Sequence, residues 1–108
     1  MNTTLTNEQQ RLARMLKALG NPIRFQIVEY LAASQSCITN DIVRALPLAQ
    51  STVSQHLKVL REAGLILGEI EGPATCYCLD VAGIQWLKEQ IGNWLPGCCP
   101  SAGPLIQL

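Results

Sequence analysis

Two sets of side chains in this sequence are of types that do chemistry. The first is sulfur: Cys98 and Cys99 are adjacent, Cys76 and Cys78 alternate two apart, and Cys37 stands alone. Thiolates select soft, thiophilic centres. Two or three sulfurs without imidazole make a poor zinc cage, because structural zinc wants four ligands. Deprotonating such thiols is unfavourable at neutral pH, so a soft ion held by them would release protons and bind tighter as pH rises. The second set lies within PLAQSTVSQHLKVLREAGLIL, from Pro47 to Leu67. Val53, Leu57 and Leu60 recur there at i, i+4 and i+7, which makes one face of a helix apolar. Gln50, Ser51, Thr52, Ser54, Gln55, His56, Lys58 and Arg61 are left for the other face, with no acid before Glu62. A solvated helix normally mixes Glu with Lys for i, i+4 pairing. Donors and acceptors without negative charge suit a helix that meets base edges and phosphates in a DNA major groove. The same residues also suit an amphipathic surface helix with an uncommon polar face.

The elements that must position these groups follow from the flanking sequence. A chain of 108 residues is one domain with a modest core. From Glu8 to Leu19 an apolar stripe of Leu12, Met15, Leu16 and Leu19 predicts a helix ended by Gly20, and residues 1–7 read as frayed. Asn21-Pro22 is a restart, with Asn as N-cap and Pro at the first helical position. Ile23, Ile27, Tyr30 and Leu31 then give the second helix its buried face. Thr39 can cap a short third helix with Ile42, Val43 and Leu46 apolar, stopped by Pro47, so it and the polar-faced helix form a helix-turn-helix. Ala63-Gly64 closes the latter with Gly at a left-handed C′ position. Two strands are expected near Leu65–Glu71 and Ala74–Leu79, with Thr75, Tyr77 and Leu79 on one face and Cys76 and Cys78 on the other. Asp80 caps a last helix striped by Ile84, Leu87, Ile91, Trp94 and Leu95. The expected fold is mainly α with a small β-hairpin: a winged helix-turn-helix of order α-α-α-α-β-β-α over residues 1–95. A tail, 96–108, carries Cys98-Cys99.

Charge is distributed unevenly. The formal net charge is zero, but residues 8–61 hold seven Lys/Arg against Glu8, Glu29 and Asp41, a net +4. Residues 62–108 hold Lys88 against five acids, a net −4. A basic half and an acidic half imply one surface facing a polyanion. There is neither a signal-peptide pattern nor an apolar run of membrane-spanning length, so a cytoplasmic protein without a membrane partner is expected. Five cysteines in a reducing compartment read as thiols rather than a disulfide framework. No Cys–His or carboxylate constellation suggests an enzyme, and no catalytic cofactor is implied.

The run LGNPIRFQIVEYL, then STVSQHLKVLREAGLI, then a hairpin ending CYCLD resembles the ArsR/SmtB family of winged-helix repressors over about Leu16 to Leu95. The resemblance implies a homodimer packed through its first and last helices. It also implies binding to double-stranded operator DNA, with release when a metal or metalloid binds cysteines or histidines. By position, Gln50, Ser51 and Thr52 would meet phosphates, Ser54 and Gln55 would face base edges, and His56 and Lys58 would lie nearer the backbone. Family wings usually reach the minor groove with Arg, whereas this one reads Glu69-Ile70-Glu71-Gly72-Pro73-Ala74 and should contribute little or repel phosphate.

Two of the family's sensing sites are missing. The Cys-x-Cys pair before the reading helix is replaced by Ile38-Thr39-Asn40, and the last helix has no His for the zinc site. A vicinal Cys-Cys after the last helix resembles that of arsenic-responsive members, although the third Cys that follows it there is absent here. The implied inducer is trivalent arsenic, As(III) or an organoarsenical, which is pyramidal and satisfied by three ligands. The third could be Cys76, Cys78 or Cys37, from either chain; it could be glutathione or water; or a methylated or phenylated arsenical would need only Cys98 and Cys99. Two other readings stay open: a thiol-redox or persulfide-sensing repressor on the same scaffold, and a winged helix used only for protein interaction.

Overall fold

The structure, a computed structural model, describes residues 4–34, 48–68 and 76–95. The expected helix over residues 39–46, the hairpin turn and the Cys98-Cys99 tail lie outside the described residues, as does Cys37. Among the described residues there are four helices and a two-stranded antiparallel hairpin: α1 (Asn7–Leu19), α2 (Pro22–Ser34), α3 (Gln50–Glu62), β1 (Ile66–Gly68), β2 (Tyr77–Leu79) and α4 (Val81–Trp94). The order and the hairpin are those of a winged helix-turn-helix, as the sequence pattern predicts.

Local chemistry sets the helix ends. Thr6 and Gln9 form a reciprocal capping box on α1, so the chain is organised from Thr6 rather than frayed up to residue 7. The Asn21 carboxamide accepts from the Ile23 and Arg24 N–H groups at 2.9 and 3.1 Å, with Pro22 opening α2. Asp80 caps α4 by accepting from the Gly83 N–H at 3.0 Å.

The core gathers Met15 and Ala18 of α1, Ile27 and Leu31 of α2, Val53, Leu57 and Leu60 of α3, Leu65 and Ile66, Tyr77, and Leu87 of α4. Ile66 pairs with Leu79, Leu67 with Cys78 and Gly68 with Tyr77. Ile66 and Tyr77 therefore face inward, while Leu67 points to solvent at 51% exposure opposite Cys78. Four residues assigned to apolar stripes are instead exposed: Leu16 on α1, Tyr30 on α2, and Trp94 and Leu95 at the end of α4. Helical spacing places a side chain on a face but does not say whether its own chain covers that face. Trp94, with Leu5, Leu12 and Leu16, lines an open groove of about 590 Å³ between α1 and the end of α4. Arg11 lies 3.9 Å above the Trp86 ring and joins the same two helices from the side.

α4 meets the end of α3 backbone to backbone. A Cβ at Gly83 would fall far inside van der Waals contact distance of the Gly64 carbonyl oxygen. Relieving that overlap has to move α4 or the α3–β1 turn. Gly→Ala inside a helix normally stabilises by up to about 1 kcal/mol. Here Gly83→Ala is expected to destabilise by about 1–3 kcal/mol in chemical denaturation; a stabilised variant would show that the two backbones are not in close contact.

Candidate nucleic-acid interface

α3, the helix expected to read DNA, is held from beneath and at its far end. Val53, Leu57 and Leu60 have no exposed surface, and each such side chain is worth about 1.5–3 kcal/mol of burial. At the C-terminus Leu65 N–H donates to Leu60 O and Gly64 N–H to Arg61 O, both at 3.0 Å, with Gly64 at φ +84°. This is the Schellman arrangement, and it turns the chain directly into β1. Gly at the left-handed position was legible in the sequence for the same reason. Asp80 N–H then donates to Leu65 O at 3.0 Å and ties the start of α4 to that turn.

The opposite end has no side-chain cap among the described residues. Ala49 occupies the N-cap and supplies no side-chain hydrogen bond, and the first turn has no acid. Its carbonyl accepts from the Thr52 and Val53 N–H groups at 3.0 and 3.1 Å. The earliest N–H groups are thus not capped by a side chain, at the positive end of the helix dipole. Ser51, Gln55, Lys58 and Arg61 are exposed, while Thr52, Ser54 and His56 are half-buried along the edge of the packed face. Gln50 opens the helix, and its side chain lies outside the description. Arg61 Nη1 donates to Gly68 O at 3.4 Å, which leans it toward the hairpin.

His56 has a partner within the protein. Its Nδ1 lies 3.3 Å from Nη1 of Arg24, an α2 residue 32 positions earlier. Partial burial, and then the Arg24 charge, hold its pKa below the ordinary histidine value of 6.5. The ring is therefore neutral at pH 7 and adds no positive charge to this surface. Arg24 is a residue the sequence pattern misses, because the contact is long-range and no local signal marks it. Arg11 is likewise committed to Trp86, so the basic half of the sequence is partly spent inside the fold.

Two of the five cysteines can be described. Cys76 is a free, exposed thiol, whereas Cys78 is disulfide-bonded. The expectation of uniform free thiols is corrected at Cys78: in this state its sulfur is not a thiolate ligand, and only reduction would make it one. Among the described residues no group of three or more His, Cys, Asp or Glu is placed to hold a metal. No helix among them is long and apolar enough to cross a membrane.

Comparison with known proteins adds three findings. A family model described as bacterial regulatory protein, arsR family, matches residues 21–67, from the α2 cap through the reading helix into β1. The repressor SmtB of Mycobacterium tuberculosis is 45% identical over 65 residues, which cover 60% of this chain and 47% of SmtB. The chain thus spans about half the length of the first curated relatives it matches. Among solved structures, a possible transcriptional regulator for arsenical resistance is 30% identical, with a TM-score of 0.63 over 75% of this chain and 83% of that one. The homodimeric winged helix-turn-helix DNA-binding domain Mb0332 of Mycobacterium bovis, a possible ArsR-family regulator, superposes with a TM-score of 0.62 at 25% identity, over 88% and 92% of the two chains. Sequence motifs, fold and relatives agree, and this chain belongs to the arsR family of bacterial regulatory proteins.

Proposed function

We propose that this chain is a transcriptional repressor that binds double-stranded operator DNA as a homodimer and lets go when a trivalent arsenical binds its thiols. The observation that carries the DNA-binding part is α3 itself. One side is fully buried, the other is free of acids in its first turn, and its N-terminus has no side-chain cap. Uncapped N–H groups and short polar side chains suit phosphates and base edges at the start of a major-groove helix. Residues 1–95 act as the binding and dimerising unit. The groove of Leu5, Leu12, Leu16 and Trp94 is its dimer face, since large apolar side chains left exposed on one chain suit a second copy. The homodimeric relative in Mycobacterium bovis supports that pairing.

For the inducer, Cys98 and Cys99 in the 96–108 tail are the proposed thiolates, with Cys76, a free thiol just before β2, as a candidate third. Sulfur donors without imidazole favour a soft trivalent metalloid over zinc. The relative named for arsenical resistance agrees with that choice. Binding at the tail would move α4, which touches the Gly64 turn through Gly83, and so would reach the reading helix without a side chain in between. Two half-sites lie about one helical turn, roughly 34–36 Å, apart, so a small displacement misaligns both readers. A second reading, release by thiol oxidation, is favoured by one observation: Cys78 is disulfide-bonded. Release by arsenite in excess reductant separates the two, because a disulfide switch would stay on the operator.

Ser54→Ala with Gln55→Ala is expected to weaken operator binding by about 1–3 kcal/mol per lost base contact while sparing random DNA, read by fluorescence anisotropy. Equal loss on both DNAs would remove the base-reading role. Ala49→Asp is expected to stabilise the free chain by about 0.5–2 kcal/mol by capping α3, and at the same time to weaken DNA binding, because a carboxylate replaces phosphate there. A stabilised chain with unchanged affinity would mean that the α3 N-terminus does not face DNA. Cys98→Ser with Cys99→Ser should retain operator binding and abolish release by arsenite or methylarsenite; normal release would reassign the sensing thiols.

A further inference from the structure

The Arg24 side chain makes three contacts, two to the end of α1 and one to α3. Its Nε donates to Ala18 O at 2.8 Å and its Nη2 lies 3.5 Å from Lys17 O, which satisfies carbonyls at the C-terminal end of α1. Its Nη1 reaches Nδ1 of His56 on α3 at 3.3 Å. A guanidinium is only a donor, so Nδ1 must be the acceptor. The imidazole is then neutral and carries its proton on Nε2. The planar fork makes this a stiff link, since all three nitrogens are committed at once. One side chain from α2 therefore ties the end of α1 to the middle of the reading helix, on the half-buried edge that also carries Thr52.

We propose that Arg24 is a positioning residue for DNA reading: it locks the angle of α3 through His56 and presents the His56 Nε2–H as a neutral hydrogen-bond donor to an acceptor on DNA. This rests on the reading of α3 as the DNA-facing helix. His56 on this account is not a phosphate-binding cation. Protonating it removes the Nδ1 acceptor and sets an imidazolium against the guanidinium, which frees α3 from the clamp. Arg24 of α2 is the charge that acts on the ring. α1 meets the pair through the Lys17 and Ala18 carbonyls, and β1, Ile66–Gly68, brings no titratable side chain. Lys58 and Arg61 are the exposed cations on α3 itself. Because the folded pKa is depressed, the stabilising contact is complete above about pH 6.5 and is lost as pH falls through the lowered value. An unclamped histidine beside phosphate would do the opposite and tighten binding on acidification.

The test has a DNA-free arm and a DNA arm. Long-range proton–nitrogen correlation spectra of the free full-length chain at pH 7.5 should show His56 as the Nε2–H tautomer. Arg24→Gln, checked for folding by circular dichroism, should turn it into a tautomer mixture. An Nδ1–H ring, or a ring unaltered in Arg24→Gln or in the milder Arg24→Lys, overturns the clamp whether or not DNA binds. In the DNA arm, Arg24→Gln should weaken operator binding on the order of tenfold, the worth of one charge-assisted hydrogen bond. His56→Asn, whose Oδ1 replaces Nδ1 as the Arg24 acceptor, should recover part of the affinity that His56→Gln loses. Wild-type affinity should fall between pH 7.5 and pH 5.5, and the His56→Asn profile should be flat. Loss confined to the operator places the Nε2–H on a base acceptor, and equal loss on random DNA places it on phosphate. Affinity that rises on acidification, or equal affinities for the two His56 variants, overturns the proposal. A wild-type chain that binds no DNA, with the tautomer as expected, refutes the DNA-facing reading of α3, and with it the Nε2–H donor role, but leaves the clamp intact.

Discussion

The burial of one side of α3 is the constraint from which the rest of the structure follows. Val53, Leu57 and Leu60 are completely covered, and the Schellman turn at Gly64 fixes the helix end against β1. With its inner face so committed, the helix cannot rotate without exposing all three side chains, a loss of several kcal/mol in all. Its polar residues are therefore held outward by the core, with the Arg24–His56 and Arg61–Gly68 contacts as added ties. The open N-terminus belongs to the same design. A chain selected for the stability of α3 alone would carry Ser, Thr, Asp or Asn where Ala49 stands.

The cations of the N-terminal half do not act as one patch. Arg11 stacks on Trp86 and Arg24 is spent on the α1 carbonyls and His56. What remains exposed on the reading helix is Lys58 and Arg61, with Ser51 and Gln55 as neutral partners. Affinity on this account comes from oriented hydrogen bonds and the helix dipole as much as from net charge. The zero formal charge of the chain is consistent with that division.

Most of the fold was legible in the sequence because its signals are local. The Asn21-Pro22 start, the Asp80 cap, the Gly64 stop and the i, i+4, i+7 stripe of α3 each follow from neighbouring residues. The capping box of Thr6 and Gln9 carries a local signal too, one outweighed by the polar character of the first residues. Arg24–His56 and Gly83–Gly64 were not legible, since each joins residues far apart in sequence through tertiary packing. Trp94 and Leu95 show the limit of periodicity: the stripe continues to the end of α4, but among the described residues they stay exposed. Thiol chemistry was legible only as composition. That Cys78 is disulfide-bonded while Cys76 is free depends on which sulfurs the fold brings together. The Cys98-Cys99 assignment rests on sequence, as those residues lie outside the described structure.

Amide hydrogen exchange of the full chain, with and without an operator fragment, tests the central claim most directly. If α3 reads DNA, protection should appear from Ala49 to about Lys58 on adding the fragment, strongest at the uncapped N–H groups of the first turn. The already buried C-terminal end of the helix should change little. Protection confined to α1 and α4, with the first turn of α3 exchanging as freely as before, would contradict the account.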